Sequence, residues 1–360
     1  MNKVLILTLH SQNNNFGSVL QAYSLYAFVE EAGCYPVILN YQPYYSNGCT
    51  NLRQGLKKLM TNCLFLKDYL LRKTKFNKIF IRERMTKKIK KYDKLEKYAN
   101  GYDVYLVGSD QVWNPQYLCG QDKAYYFDFL SKGRKVSYAS SLGTIDLSDK
   151  ELTGIADSIR EFQKVSLREK KSVLQLRAIG FDKAEYVLDP VFLHNKAFYT
   201  QMQVPTLEKN YILAYIIHKD SFMSQVVEKL SQLMNKKVIQ IGGFASKCKS
   251  EKFFRSAGPM EFLGLIDGAD FIITSSFHGT AFAHIYNKQF AVVMPKYNTL
   301  RIENILETVG TTDRVISGLT QLENILKPID YDLVNRKIDI MRKTSEKYLL
   351  SCLQSAKEKK

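Results

Sequence analysis

The sequence lacks most of the features that classify a protein at a glance. No apolar run approaches the ~20 residues a membrane-spanning helix needs. The run at residues 4–9 is shorter than the apolar stretch of a secretory signal and has no small-residue cleavage site after it. It reads as a buried first strand. The six cysteines (Cys34, Cys49, Cys63, Cys119, Cys248 and Cys352) form no CxxC and no cysteine–histidine group of zinc-ligand spacing, so reduced thiols in a cytoplasmic protein are expected, and no metal. No GxSxG elbow occurs, which argues against the hydrolase that Ser275 and Ser276 beside a histidine would suggest. Tryptophan occurs once, at Trp113, and acidic residues are few: 35 against 52 basic ones, a net charge of +17 that implies an anionic partner.

What is present points to an α/β protein. A chain of 360 residues exceeds one ordinary core and suits two domains. Short β-branched or aliphatic runs at 4–9, 37–41, 104–107, 136–139 and 186–188 are interspersed with helical patterns such as 18–32. The pattern restarts with a strand at 211–217, a helix at 221–234, a strand at 238–241, a helix near 260–268, a strand at 271–274, a helix to 286 and a strand at 290–294. Such alternation predicts two mostly parallel sheets, each covered on both faces. The seam is expected between 189 and 210, punctuated by Pro190 and Pro205. The domains are then 1–200 and 201–330, followed by an amphipathic helix over 331–360 with Leu333, Val334, Ile338, Met341, Leu349 and Leu353 on its apolar side.

The positive charge is local. Residues 51–98 hold 16 Lys or Arg against four Asp or Glu, which is +12 of the +17. Within them Leu52, Leu56, Leu59, Cys63, Leu66 and Leu70 follow a 4,3,4,3,4 spacing beside Lys57, Lys58, Lys67, Arg72 and Lys73. This is either a helical insertion packed on the first domain with a solvated basic face, or an amphipathic helix that meets anionic lipid headgroups. Nucleic acid is not expected, because no recognition module accompanies the charge.

Four segments carry candidate chemistry. After the strand at 271–274 come Ser275, Ser276, Phe277, His278, Gly279 and Thr280, where a helix begins. Ligands bind at the carboxyl ends of strands in open α/β sheets, and helix N-termini offer N–H groups to anions. His278 is therefore a candidate proton donor or acceptor at an anion site, or else a capping or core histidine. His284 reads as structural. In Ser166-Leu167-Arg168-Glu169, Arg168 ends a short strand and is either a carboxylate or phosphate ligand or an arginine paired with an acid. In Gly108-Ser109-Asp110-Gln111-Val112-Trp113-Asn114, the indole and the polar groups suit a sugar, or else cap a turn over a core tryptophan. The loop at 11–18, with Asn15, Phe16 and Ser18, is a polar acceptor loop or a helix cap.

Taken in order, NNFGSVLQAY, GSDQVWNP, SYASSLG, SLREKKS, VLDP and SSFHGTAFAHIYNKQFAVV resemble the polysaccharide pyruvyl transferase family, from Asn14 to about Arg314. The resemblance implies a GT-B-like fold: two Rossmann-like domains facing across a cleft, with a C-terminal helix returning to the first domain. It implies phosphoenolpyruvate as donor substrate, no further cofactor, and a nucleotide-linked or undecaprenyl-diphosphate-linked sugar as acceptor. It makes His278 the general acid or base and Arg168 a phosphoenolpyruvate ligand, with Ser276, Gly279 and Thr280 around the donor. It places Asn15, Phe16, Ser18, Asp110, Gln111, Trp113 and Asn114 on the acceptor side. Some relatives carry an arginine two positions before the histidine; Ser276 stands there in this chain, and Arg301 or Lys296 are the expected substitutes. With such an acceptor, the basic segment would hold the enzyme at the inner leaflet of the cytoplasmic membrane. The rival expectations are a nucleotide-sugar glycosyltransferase using Gly242-Gly243 as a phosphate loop, and a noncatalytic membrane- or polysaccharide-binding protein.

Overall fold

The computed structural model describes residues 1–360 apart from 11–14, 48–58, 81–82, 145, 218–219, 245, 297 and 355–360. The start of the polar loop at 11–14, and Leu52, Leu56, Lys57 and Lys58 of the basic stretch, lie outside the described residues. In chain order the main elements are β1 (Lys3–Leu7), α1 (Phe16–Glu31), β2 (Tyr35–Ile38), α2 (Leu66–Lys78), β3 (Val104–Val107), β4 (Lys135–Ser137), α3 (Asp149–Ser158), β5 (Val165–Leu167), α4 (Lys170–Ala178) and β6 (Ala184–Tyr186). Then follow α5 (Lys196–Met202), β7 (Tyr211–Tyr215), α6 (Ser221–Met234), β8 (Lys237–Ile241), β9 (Lys252–Phe254), α7 (Pro259–Gly268), β10 (Phe271–Thr274), α8 (Phe277–Ile285), β11 (Gln289–Val292), α9 (Leu300–Val309) and α10 (Tyr331–Leu353).

These elements form two compact units. The first is Met1–Asn51, Phe80–Leu193 and Asp339–Lys360; the second is Leu52–Ile79 and His194–Ile338. In the first, β2-β1-β3-β4 is a parallel sheet in that order, with Leu5 opposite Val37 on one side and Tyr105 on the other. The parallel pair β5-β6 extends it through bridges from Val136 to Lys164 and from Ser140 to Leu167. Both faces of β1 are buried: Leu5 and Leu7 pack with Trp113, Phe127, Phe162 and residues of α3 and α4, while Val4 and Ile6 pack with Leu25 and Val29 of α1 and Leu349 and Leu353 of α10. That two-sided burial is why the strand reads as a continuous apolar run.

The second unit holds an all-parallel sheet ordered β11-β10-β7-β8-β9. One face is covered by Met223, Val226, Val227 and Leu230 of α6 packed on Ile212, Ala214 and Ile273. Local chemistry sets the ends of α6: Asp220 accepts from Met223 N at 3.1 Å, and Asn235 closes the helix with φ 50. The three-residue edge strand β9 is absent from the sequence-based expectation; its Lys-Phe-Phe is too short to show a period.

One assignment differs from expectation. The insertion was expected on the first domain, but residues 52–79 belong to the second unit, where Lys75 pairs with Glu261 at 2.6 Å and Phe65 stacks on Phe244. Helix α10 begins in the second unit, with Tyr331 Oη donating to Ala283 O at 3.3 Å, and belongs to the first from Asp339 onward. There Leu188 N donates to Ser345 Oγ (2.9 Å) and Tyr348 Oη to Ser137 O (3.0 Å). Among the described residues no helix is long and apolar enough to cross a membrane.

Candidate active site

Each sheet reverses its winding once. In the first unit the reversal lies between β1 and β3, in the second between β7 and β10. A crevice opens at the carboxyl ends of the strands flanking such a point, because the connections leave it in opposite directions. The loops after β3 and β10 are the segments singled out in the sequence.

In the second unit Thr274 Oγ1 donates to Tyr215 O (2.9 Å) and accepts from Ser276 N (3.0 Å), which ties the ends of β7 and β10 together. Ser276 is the N-cap of α8, yet its side chain makes no cap hydrogen bond. Burial raises the Tyr215 phenol to about 12, with the neighbouring Ser276 working the other way. His278, 5% exposed, lies in the first turn of α8 with its ring edge-on to Phe277, centroids 4.9 Å apart.

The neighbouring donor candidates serve the helix itself. A Cβ on Gly279 would come within 2.2 Å of Thr274 Oγ1 and 2.9 Å of Tyr215 Cδ1, so the glycine is required for helix–strand contact. Thr280 is fully buried, its hydroxyl donating to Ser276 O at 3.1 Å. His284 is held by Thr280 O (2.9 Å) and Thr311 Oγ1 (3.0 Å), and burial lowers it from 6.5 to about 4, so it is neutral and structural. Lys296 is exposed, and the half-buried Arg301 has its guanidinium carbon 5.9 Å from the Phe277 ring centroid.

Sequence reasoning missed one residue of this neighbourhood. Helix α2 buries Arg72, which donates from Nη1 towards the carbonyls of Arg255 (3.3 Å) and Gly243 (3.5 Å) and lies over the rings of Phe76 and Phe244. Burial lowers it to about 10, while interaction with Tyr215 works the other way. A lone buried polar position inside a 4,3-spaced leucine pattern was the available signal.

The first unit's reversal holds a charge cluster. Arg168, fully buried after β5, donates to Asp189 Oδ2 (2.6 Å), Asp110 Oδ1 (3.2 Å), Glu169 Oε1 (3.2 Å) and Ser109 Oγ (3.3 Å). Burial opposes its charge, but Asp189, Asp110 and Glu169 outweigh that and raise its pKa above the ordinary arginine value. Ser18 Oγ donates to Asp110 Oδ2 (2.8 Å) and Ser141 Oγ to Glu169 Oε1 (2.6 Å). The guanidinium expected to grip phosphoenolpyruvate is thus committed to the protein's own carboxylates, and it lies in a different unit from His278.

The acceptor candidates divide in the same way. Trp113 has no exposed surface: its Nε1 donates to Tyr125 O (3.0 Å) and its ring stacks on Tyr126, leaving no face for a sugar. Phe16 and Asn114 are buried, Asn114 Nδ2 donating to Gln111 Oε1 at 2.8 Å. Asn15 is exposed and caps α1, accepting from Gly17 N (2.9 Å) and Ser18 N (3.4 Å). Asp110 stands at the reversal with φ 73, a left-handed conformation that costs a non-glycine residue of order 1 kcal/mol and collects at functional positions. Among the described residues no three His, Cys, Asp or Glu side chains gather into a group that could hold a metal.

Comparison with solved structures defines the class. UDP-GlcNAc 2-epimerase from Methanocaldococcus jannaschii is similar over 95% of this chain and 99% of its own at 14% identity, TM-score 0.52. UDP-N-acetylglucosamine 2-epimerase from Rickettsia bellii is similar over 98% and 96% at 13% identity, TM-score 0.52. At these identities the likeness is one of fold: the two-Rossmann, GT-B class of α/β enzymes. No curated protein matches the sequence significantly. Residues 15–297 match the sequence model of the polysaccharide pyruvyl transferases, and the chain belongs to that family.

Two predictions follow from these geometries. Arg168→Met leaves three buried carboxylates uncompensated and should cost about 3–5 kcal/mol in urea unfolding; a loss below 1 kcal/mol would contradict the cluster. His284 is neutral when folded, so its contribution is intact above pH 6.5 and is lost as pH falls toward 4, by about 3 kcal/mol. Unfolding midpoints measured from pH 7 to 4 should show that decline in the wild type and a shallower one in His284→Gln.

Proposed function

We propose that the chain transfers the pyruvyl group of phosphoenolpyruvate onto two hydroxyls of one sugar, forming a cyclic ketal during synthesis of a capsular or other cell-surface polysaccharide. The observation that carries this is His278 in the first turn of α8, at the winding reversal of the second sheet and inside the family-matched region. An anion at a helix start favours the protonated imidazole. His278 then delivers its proton to the methylene carbon of phosphoenolpyruvate, making a methyl group and oxocarbenium character at the adjacent carbon. A sugar hydroxyl oxygen bonds to that carbon and its proton returns to the histidine. The carbon–oxygen bond to phosphate breaks, and a second hydroxyl of the same sugar closes the ring, its proton leaving with the phosphate. No metal or further cofactor enters this scheme.

The first unit takes the acceptor in this reading, with the exposed Asn15 on the loop before α1 and Asp110 and Gln111 at the reversal as its candidates. The acceptor is a nucleotide-linked or undecaprenyl-diphosphate-linked sugar. Localisation at the inner leaflet is supported by Leu59, Met60, Leu64, Leu66, Leu70 and Leu71, all exposed along α2 and the helical turns before it, with Lys67, Lys73 and Lys78 beside them. Cationic flanks and an uncovered apolar face together suit an anionic lipid surface.

Phosphate release from phosphoenolpyruvate, followed across nucleotide- and lipid-linked hexoses, tests the reaction. Acceptor-dependent release with a mass gain of one pyruvyl ketal is expected, falling at least ~100-fold in His278→Ala. Turnover of a nucleotide sugar without phosphate release would replace this proposal with glycosyl transfer. Sedimentation with phosphatidylglycerol vesicles should weaken at 0.5 M salt and in Leu64→Ser/Leu70→Ser. Salt-independent binding, or dimerisation through this face in light scattering, would reject the lipid assignment.

A further inference from the structure

We infer that Lys87, Lys88, Lys90 and Lys91, on the margin of the first unit's sheet, seat the diphosphate through which the acceptor sugar is carried. The inference rests on the proposed acceptor and names the residues that hold its charged group. A nucleotide and an undecaprenyl carrier present that same group.

The basic stretch of the sequence is divided by the fold: residues 52–79 join the second unit, and the chain from Phe80 onward belongs to the first. There Met85 bridges Ile38 and Ile89 bridges Tyr41, both in the parallel sense, so residues 85–89 run alongside the end of β2. Thr86 N donates to Ile38 O (3.0 Å), Ile89 N to Asn40 O (2.9 Å) and Gln42 N to Ile89 O (2.7 Å). This places the segment at the carboxyl end of the parallel sheet, where ligands bind in such folds. Ile89 is the anchor, 3% exposed, while Lys87, Lys88, Lys90 and Lys91 all face solvent. Residues 85–89 oppose 38–41, one residue more on the outer segment. Such a bulge breaks strand alternation, so adjacent lysines are not forced to opposite faces.

The charge of this segment is not answered by the protein. On either side the basic residues are paired, Arg84 with Glu30 at 2.7 Å and Lys94 with Asp93 at 3.4 Å. Between them residues 85–92 contain no Asp or Glu, and among the described residues Lys87, Lys90 and Lys91 form no ion pair. Like charges this close repel one another, and a ligand carrying more than one negative charge offsets that repulsion. Lysine binds phosphate as a compact point charge on a flexible stem, which suits a group whose oxygens point several ways. Lysines on a sheet margin also deter pairing with another chain, a role that the experiment below separates from ligand binding.

Hydrogen bonds tie the segment to the winding reversal. Asn40 N donates to Thr86 Oγ1 (2.9 Å), and Asn40 Oδ1 lies 3.0 Å from Nε2 of His10, whose Nδ1 is 3.1 Å from Thr8 O. The order is therefore lysine segment, β2, β1, with the reversal between β1 and β3. At ~4.8 Å per strand the lysines stand about 10 Å from β1. That separation matches the reach of a hexose joined to a diphosphate: with the phosphates on the lysines, the sugar hydroxyls lie over the ends of β2 and β1, towards Asp110 at the reversal.

Calorimetric titration with inorganic pyrophosphate tests the seat in wild type, in Lys87→Gln/Lys90→Gln and in the fourfold variant Lys87→Gln/Lys88→Gln/Lys90→Gln/Lys91→Gln. Lys150→Gln/Lys229→Gln/Lys343→Gln/Lys347→Gln, at four exposed positions elsewhere, controls for net charge. Expected is a Kd at least ~10-fold weaker in the fourfold variant, a partial loss in the double one, near wild-type affinity in the control and weakening of the wild type by 0.5 M salt. An equal loss in the control would overturn the inference. So would wild-type affinity in the fourfold variant, and self-association of that variant in light scattering would then assign the lysines to guarding the sheet margin. Titration with UDP-linked and polyprenyl-diphosphate-linked hexoses tells the sources apart: the carrier is the one whose affinity falls together with that of pyrophosphate, and a fall for neither overturns the assignment. Phosphoenolpyruvate affinity is expected to survive the fourfold substitution. Its failure to bind the wild type would overturn the donor reading and leave the pyrophosphate titration to decide the seat.

Discussion

The first unit depends on one buried cation. Arg168 follows β5, Ser109 and Asp110 follow β3, Asp189 follows β6, and all meet at a single guanidinium. Ser141 beyond β4 and Ser18 of α1 attach to the same carboxylates. In parallel sheets the strand ends are where connections leave in different directions, so something must hold them in register. Five N–H donors in a rigid plane hold several carboxylates in one fixed arrangement, whereas a lysine offers three on a flexible stem. Removing the cation would leave its partners buried and charged, and Asp110 is held in its left-handed conformation by a network that extends across four strand ends.

The second unit meets the same demand with neutral groups. Thr274 joins the ends of β7 and β10, and Tyr215 fills the space between Gly242 and Gly279. Uncharged bonding leaves the electrostatics of that crevice to His278 and to the dipole at the start of α8. The two histidines of α8 illustrate the division. His284 has both ring nitrogens engaged and is pinned neutral by burial, while His278, six residues earlier, sits where the helix start faces the strand ends.

Much of the architecture was legible in the sequence because buried parallel strands are continuous apolar runs. β3, β10 and α6 match the expected bounds, and the apolar pattern of α10 begins at Tyr331 as read. The motif loops fall at strand ends because glycine, serine and aspartate collect where strands turn. Trp113 was misjudged for a physical reason: an indole beside amides and carboxylates reads the same whether its ring meets sugar or Tyr126 and Phe162. Gly279 and Thr280 read two ways for a similar reason, since small residues suit helix–strand packing and ligand approach alike.

Residue pattern alone located most of the strands, β9 excepted, the starts of α6 and α10, the histidine after β10 and the arginine after β5, and the family to which the motifs belong. These are properties of neighbouring residues, carried by periodicity, capping and turn chemistry. The three-dimensional packing settles that Arg168 faces three acids, that Trp113 lies in the core, and that α2 belongs to the second unit and buries Arg72. Those facts depend on which distant groups share a low-dielectric interior, and spacing along the chain does not encode the charge that a buried side chain finds around it.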